Sequence, residues 1–224
     1  MADYEDMSVY SDGYSPFEIL NVGWLGASCG VPVDGTPVSG RLVGRLVAES
    51  RKPRSLTLGT HDCEFCDGEG GRGGNGEIHL YSTVNSAVFS APLLVLHYVK
   101  RHGYSPPSDF LKSLASADEP LDWDSRAETL VSILSDPAGD AGWRVNALFE
   151  LPRWGSDERA YRTVADSVND EEIRETAEYE LGVSLSQFWI AAGGVDTVVY
   201  SRLSPATRHV VAEEFSRHSE RLTE

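Results

Sequence analysis

The chain has 224 residues, three cysteines and a formal net charge of −16. That length can bury a sizeable core in one large or two modest domains, and an odd, low cysteine count excludes a disulfide framework and suits a reducing compartment. The acidic start Met1-Ala2-Asp3-Tyr4-Glu5-Asp6 is opposite in charge to a secretory leader, no apolar run approaches membrane-spanning length and no basic stripe could neutralise phosphates, so a soluble cytoplasmic protein with neither membrane nor nucleic-acid partners is expected.

Residues 1–16 read as a loosely held arm with Tyr4, Tyr10 and Tyr14 as docking points, and the nearly unbroken apolar run 17–25 reads as a buried strand. Gly26-Ala27-Ser28-Cys29-Gly30 fits the spacing of a nucleophile elbow, but Pro32 and Asp34-Gly35 follow where that motif needs a helix, so an esterase is rejected. Thr36-Pro37 opens a helix whose face is Val38, Leu42, Val43, Leu46 and Val47, ending near Ser50 ahead of Pro53. A short strand over 55–58 then leads into the most informative stretch of the chain.

Thr60-His61-Asp62-Cys63-Glu64-Phe65-Cys66-Asp67 places two of the three cysteines and a histidine within six residues. A Cys-x-x-Cys step sets two thiolates on one tight turn at a separation suited to a tetrahedral ion, and His61 adds an imidazole. The working ligand set for a structural Zn2+ is Cys29, His61, Cys63 and Cys66, with His97 the alternative to Cys29 and His79 and His102 behind it. A redox pair or two ordinary thiols are the competing readings of Cys63 and Cys66; no clear βαβ context precedes them to favour the first.

The glycine-rich run 68–76 contains a G-x-G-x-x-G string, but a strand pattern follows at Glu77-Ile78-His79-Leu80-Tyr81, which excludes dinucleotide binding. A strand over 84–89, a helix from Pro92 to about His102 and a short helix capped at Ser108 with Phe110, Leu111 and Leu114 complete an α+β domain over residues 1–116.

The segment Leu20-Asn21-Val22-Gly23-Trp24-Leu25, the His61-x-Cys63-x-x-Cys66 corner, Gly76-Glu77-Ile78 and Ala91-Pro92-Leu93-Leu94 leading to His97-Tyr98-Val99, His102, Tyr104 and Pro106-Pro107 together resemble an uncharacterised bacterial domain spanning about residues 17–116. The resemblance implies that a histidine often stands where this chain has Cys29, an exchange suited to a zinc ligand. It implies no activity.

After the polar linker Ser116-Ala117-Asp118-Glu119-Pro120, residues 121–224 show helical spacing throughout and form the second expected domain. The run from Asp170 to Gly182 is similar to the second helix of a HEAT repeat. The stretch from Asp140 repeats it thirty positions earlier, aligning Arg144 with Arg174, Ala147 with Ala177 and Leu151 with Leu181, and a weaker copy begins at Ser204. Outer helices are expected around Leu130, Ile133 and Leu134, around Tyr161, Val164 and Val168, and around Leu185, Phe188, Trp189 and Ile190. The predicted fold is therefore a zinc-braced α+β domain followed by an all-α, HEAT-like helical repeat domain.

Charge is uneven: residues 1–118 hold 9 basic against 14 acidic residues, a balance of −5, and residues 119–224 hold 10 against 21, a balance of −11. Asp157, Glu158, Asp170, Glu171, Glu172, Glu175 and Glu178 form the expected partner-binding surface, although a solvated helix face would account for the same carboxylates. The expected function is non-catalytic protein binding, with a basic toxin or effector as partner and an immunity or antitoxin role by analogy. The alternative is a zinc-dependent hydrolase or deaminase-like enzyme using His61, Cys63 and Cys66, with Glu64 or Glu77 as base; the H-x-E and P-C-x-x-C arrangement of the deaminases is absent.

Overall fold

Five short strands rich in aliphatic and aromatic residues make one mixed sheet: β1 (Val9–Tyr10), β2 (Ile19–Asn21), β3 (Ser55–Leu56), β4 (Gly76–Tyr81) and β5 (Val88–Pro92), in the order β1-β2-β5-β4-β3. The computed structural model describes residues 4–10, 15–28, 30–33, 36–56, 61–66 and 75–221. Its chain divides into two units, Met1–Glu119 and Pro120–Glu224, and the sheet belongs to the first. β2 and β5 run parallel, which the long connection through α1 (Gly40–Ser50), β3 and β4 allows; the other three pairings are antiparallel.

Register decides which side chains face the helices. Leu20 and Leu80 both pair with Phe89, and Ile78 pairs with Ala91, so these five share one face. They build the core with Leu46 of α1, Val95 and Tyr98 of α2 (Val95–His102), and Phe110 and Leu114 of α3 (Ser108–Ala115). On the opposite face Asn21 and His79 flank Ser90, whose Oγ donates to Glu77 Oε2 at 2.6 Å. Asn21 Oδ1 and His79 Nε2 are buried there without a protein hydrogen-bond partner, and His79 Nε2 lies 3.6 Å from Glu77 Oε1.

Several boundaries differ from the periodicity for local reasons. The strand expected over 17–25 stops at Asn21, because Gly23 turns the chain at φ +70° and brings its Cα so near α2 that a Cβ would lie 2.9 Å from Val95 Cγ2. The first helix opens at Gly40, with Ser39 Oγ accepting the Leu42 N–H, instead of at Thr36-Pro37. The second opens at Val95 because Ala91 and Pro92 still belong to β5.

The described residues of the second unit are helical apart from turns. Its helices are α4 (Ser125–Ser135), α5 (Ala141–Glu150), α6 (Glu158–Asp166), α7 (Glu171–Thr176), α8 (Glu178–Ala192), α9 (Thr197–Arg202) and α10 (Pro205–Arg221). Asp124, Asp140, Asp157, Asp170 and Asp196 cap α4, α5, α6, α7 and α9 by accepting first-turn N–H groups, and Ser204 Oγ does the same at α10. Helix α8 packs against α5, α6 and α10, and buries Leu181, Val183, Leu185, Phe188 and Trp189. Residues 185–190, expected to belong to a following helix, instead continue α8 without a break; the interruption comes earlier, at Ala177 between α7 and α8.

Gly182 makes the α8–α10 contact possible, since a Cβ there would lie 2.8 Å from Val210 Cβ and Cγ1. Gly182→Ala is expected to lower stability by about 1–3 kcal/mol through overpacking. Gly194→Ala, with open space around it, lacks that clash. Thermal unfolding of the two variants side by side checks the difference.

Candidate metal centre

Two segments distant in sequence meet at the corner of the first unit. In the 61–66 loop the Phe65 N–H donates to Cys63 Sγ at 3.4 Å, turning the chain so that Cys63 and Cys66 point the same way. Helix α2 buries Val95 and Tyr98 in the core, which fixes its rotation and carries His97 and its last residue, His102, toward that loop. The helix ends there because Gly103 adopts the left-handed conformation and its N–H returns to Tyr98 O. Phe65, between the two cysteines, meets the rings of Tyr98 and His102 edge-on at 5.8 Å each.

The result is a group of four donors, one each from Cys63, Cys66, His97 and His102, all within 4.8 Å of one another. Cys66 Sγ lies 3.3 Å from Nε2 of both histidines, Cys63 Sγ lies 3.3 Å from His102 Nε2, and the two Nε2 atoms are 3.1 Å apart. A tetrahedral ion with metal–nitrogen bonds of about 2.0–2.1 Å and metal–sulfur bonds of about 2.3 Å demands N···N edges of about 3.3–3.4 Å and S···N edges of about 3.5 Å. The observed edges fall a few tenths of an ångström inside these, so the four side chains could hold a metal ion.

Burial sets the titration of two of these donors. Burial pushes the Cys63 thiol up, with neighbouring Cys66 adding to the shift against the hydrogen bond from Phe65. Burial pushes His97 down, helped by His102 and Arg101. A metal bound here would take the thiols as thiolates and the imidazoles as neutral donors. Cys63 and Cys66 are free thiols.

Of the four expected ligands the structure brings together Cys63 and Cys66. His61 stands outside the group of four, in which His97 and His102 of α2 supply the imidazoles, and Cys29 lies outside the described residues. His97 was the alternative fourth ligand and His102 ranked behind it; the spacing His97-x4-His102 falls within the H-x3–5-H pattern of zinc sites and is the signal that identifies both. Glu64 and Glu77, the candidate bases, have other roles. Glu64 Oε2 accepts the Ala27 N–H at 2.8 Å, tying the turn after β2 to the corner, and Glu77 receives Ser90 on the far face of the sheet.

The family model described as Domain of unknown function (DUF7919) matches residues 2–115, half of the chain and all four donors of the centre. The chain belongs to this family. No curated protein and no solved structure gives a significant match to this DUF7919 member. No helix among its described residues is long and apolar enough to cross a membrane.

The seven acidic residues of the expected partner surface divide into two groups. Asp170 and Glu172 both accept from the buried Arg144 guanidinium, Asp157 pairs with Arg159 and Glu158 with Arg162, so four of the seven carboxylates have a cation within the chain. Glu178 accepts from Ser204 Oγ, while Glu171 and Glu175 are exposed.

Three aspartates of this unit have pKa values below the ordinary 3.8. Asp157 is pulled down to about 2 by the Arg159 side chain and backbone N–H. Asp170 goes down because Arg144 and the Ile173 N–H outweigh burial, which acts the other way; Asp196 goes down through the Val199 N–H and Tyr161 O–H. A carboxylate with a depressed folded pKa contributes stability above its unfolded pKa and loses it as pH falls through the folded value. The helical unit is therefore expected to lose stability progressively between about pH 4 and pH 2. Denaturant midpoints followed through its tryptophans across that range check the slope.

Proposed function

We propose that this protein is a non-catalytic protein-binding protein, with a first unit braced by a structural zinc ion and an acidic second unit that engages a basic partner. The observation that carries the non-catalytic part is the convergence of four protein donors at one point. A catalytic zinc keeps a position open for water or substrate, and two thiolates with two imidazoles fill a tetrahedron. Two soft sulfurs with two nitrogens favour zinc over the oxygen-seeking magnesium or calcium.

The helical unit is read as a short HEAT-like array. Support comes from the caps and the burial pattern: Asp140 and Asp170 stand thirty positions apart and both cap helices, and Ser204 caps the third copy. Ala147 with Ala177 and Leu151 with Leu181 are buried alike. Arg144 reaches from one copy to the capping Asp170 of the next, while its counterpart Arg174 is exposed. Stacked pairs of this kind present one extended surface to a partner, and an excess of acidic residues selects a basic one. Immunity and antitoxin proteins that cover a basic toxin site are the analogy.

Two measurements test the reading. X-ray absorption of the purified protein should show zinc with two sulfur and two nitrogen neighbours and no oxygen; an oxygen ligand would return the hydrolase or deaminase-like alternative. Genomic neighbours should include a basic protein that forms a complex weakened as salt rises beyond about 0.1 M. Glu171→Lys/Glu175→Lys should bind it at least about tenfold more weakly, a loss of about 1.4 kcal/mol; unchanged binding at all salt concentrations overturns the proposed surface.

A further inference from the structure

The N-terminal segment 4–10 crosses the free edge of β2 as a strap. Tyr4 N–H donates to Trp24 O at 3.0 Å, Met7 N–H to Asn21 O at 2.7 Å and Asn21 N–H to Ser8 O at 2.9 Å, and β1 adds the pairs Val9 with Leu20 and Tyr10 with Ile19. A two-residue strand holds little by itself. Met7 packs against the core and Tyr10 stacks on Trp24, and Asp6 ties the strap to the corner: Oδ1 accepts the Gly23 N–H and Oδ2 accepts the Tyr104 O–H, both at 2.8 Å.

Both donors are set by the metal corner. Tyr104 follows His102 by two residues, across the left-handed Gly103, and its ring packs beside Gly23. Tyr98, wedged against Phe65 between the cysteines, donates its O–H to Leu25 O, and Glu64 accepts the Ala27 N–H. The segment 23–27 is thus pinned at both ends by residues that lie between, or within one turn of, the four metal donors.

We infer that the Cys63–Cys66–His97–His102 centre and the strap form one cooperative device, in which loss of the metal frees residues 4–10 and uncovers the backbone N–H and C=O of Asn21 at the edge of β2. This rests on the reading of that centre as a metal site. The Asn21 side chain belongs to the same contact, since its Nδ2 donates to Ser8 O at 3.2 Å and Ser8 Oγ at 3.0 Å, so both its backbone and its side chain report on the strap. An exposed strand edge of this kind accepts an extended peptide by main-chain hydrogen bonding.

Hydrogen exchange on the full chain tests the device. With zinc bound, the Met7 and Asn21 amides should be protected; chelation should raise their exchange at least about tenfold, ahead of core amides such as Phe89. Tyr104→Phe, which removes only the hydroxyl at Asp6, should raise exchange at the same two amides with one equivalent of zinc still bound. If chelation unfolds the whole unit, Tyr104→Phe in zinc-loaded protein decides, and unchanged protection there overturns the inference. So does unchanged protection after the metal has been stripped. Purified protein that never binds zinc defeats the metal reading instead, a separate result seen in the metal analysis.

Discussion

Cys66→Ser, at the proposed zinc site, is expected to take bound zinc from one equivalent to none and to destabilise the first unit severely, with residues 4–10 released before the core. Cys66 Sγ lies 3.3 Å from Nε2 of both imidazoles, and removing it takes away one of the two thiolates that would compensate the charge of a bound ion. Structural zinc sites contribute on the order of 10–16 kcal/mol of apparent binding free energy, whereas a whole domain is stable by only about 5–15 kcal/mol. Even a partial loss is therefore comparable with everything that holds the unit together. His102→Ala should behave in the same way, because His102 Nε2 contacts all three other donors. His61→Ala should retain a full equivalent. Elemental analysis with denaturant unfolding of the three variants checks the ligand set, and metal retained in Cys66→Ser would show that the ion, if bound, sits elsewhere.

The difference between His61 and His102 shows what local spacing can and cannot report. Cys63 and Cys66 were legible because a single turn fixes their separation, and sequence adjacency then favoured His61. His97 and His102 reach the same point from a helix thirty residues on, and they sit five positions apart, which is not one face of an ideal helix. Only the end of α2, where His102 is the last helical residue before Gly103, allows both rings to turn inward. Core faces were read with less difficulty: Leu46, Phe110 and Leu114 are buried as their periodicity requires. Strand ends were not, since Gly23 stops β2 through a close approach to Val95 that depends on tertiary structure.

The same limit applies to charge. Asp170 and Glu172 read as surface carboxylates, yet both belong to Arg144, whose side chain is 2% exposed. Arg144 also donates through Nε and Nη2 to Leu134 O, so a single guanidinium ties the end of α4 and the start of α7 to α5. Arg144→Met keeps much of the buried volume but removes that junction and leaves two carboxylates facing each other. Breaking a buried ion pair costs about 3–5 kcal/mol. The two acids are 24% and 45% exposed and regain some hydration, which puts the expected loss near the lower end, at about 3 kcal/mol. Arg144→Met/Asp170→Asn/Glu172→Gln should recover a large part of it, because asparagine still caps α7 and the repulsion is gone. Arg144→Met by itself also makes the acidic face one unit more negative, so it should weaken folding and, under the proposed function, speed association with a basic partner. Denaturant unfolding reads the first effect and association rates at low salt the second; opposite movement of the two would show that Arg144 holds the fold while masking charge that the proposed partner would meet.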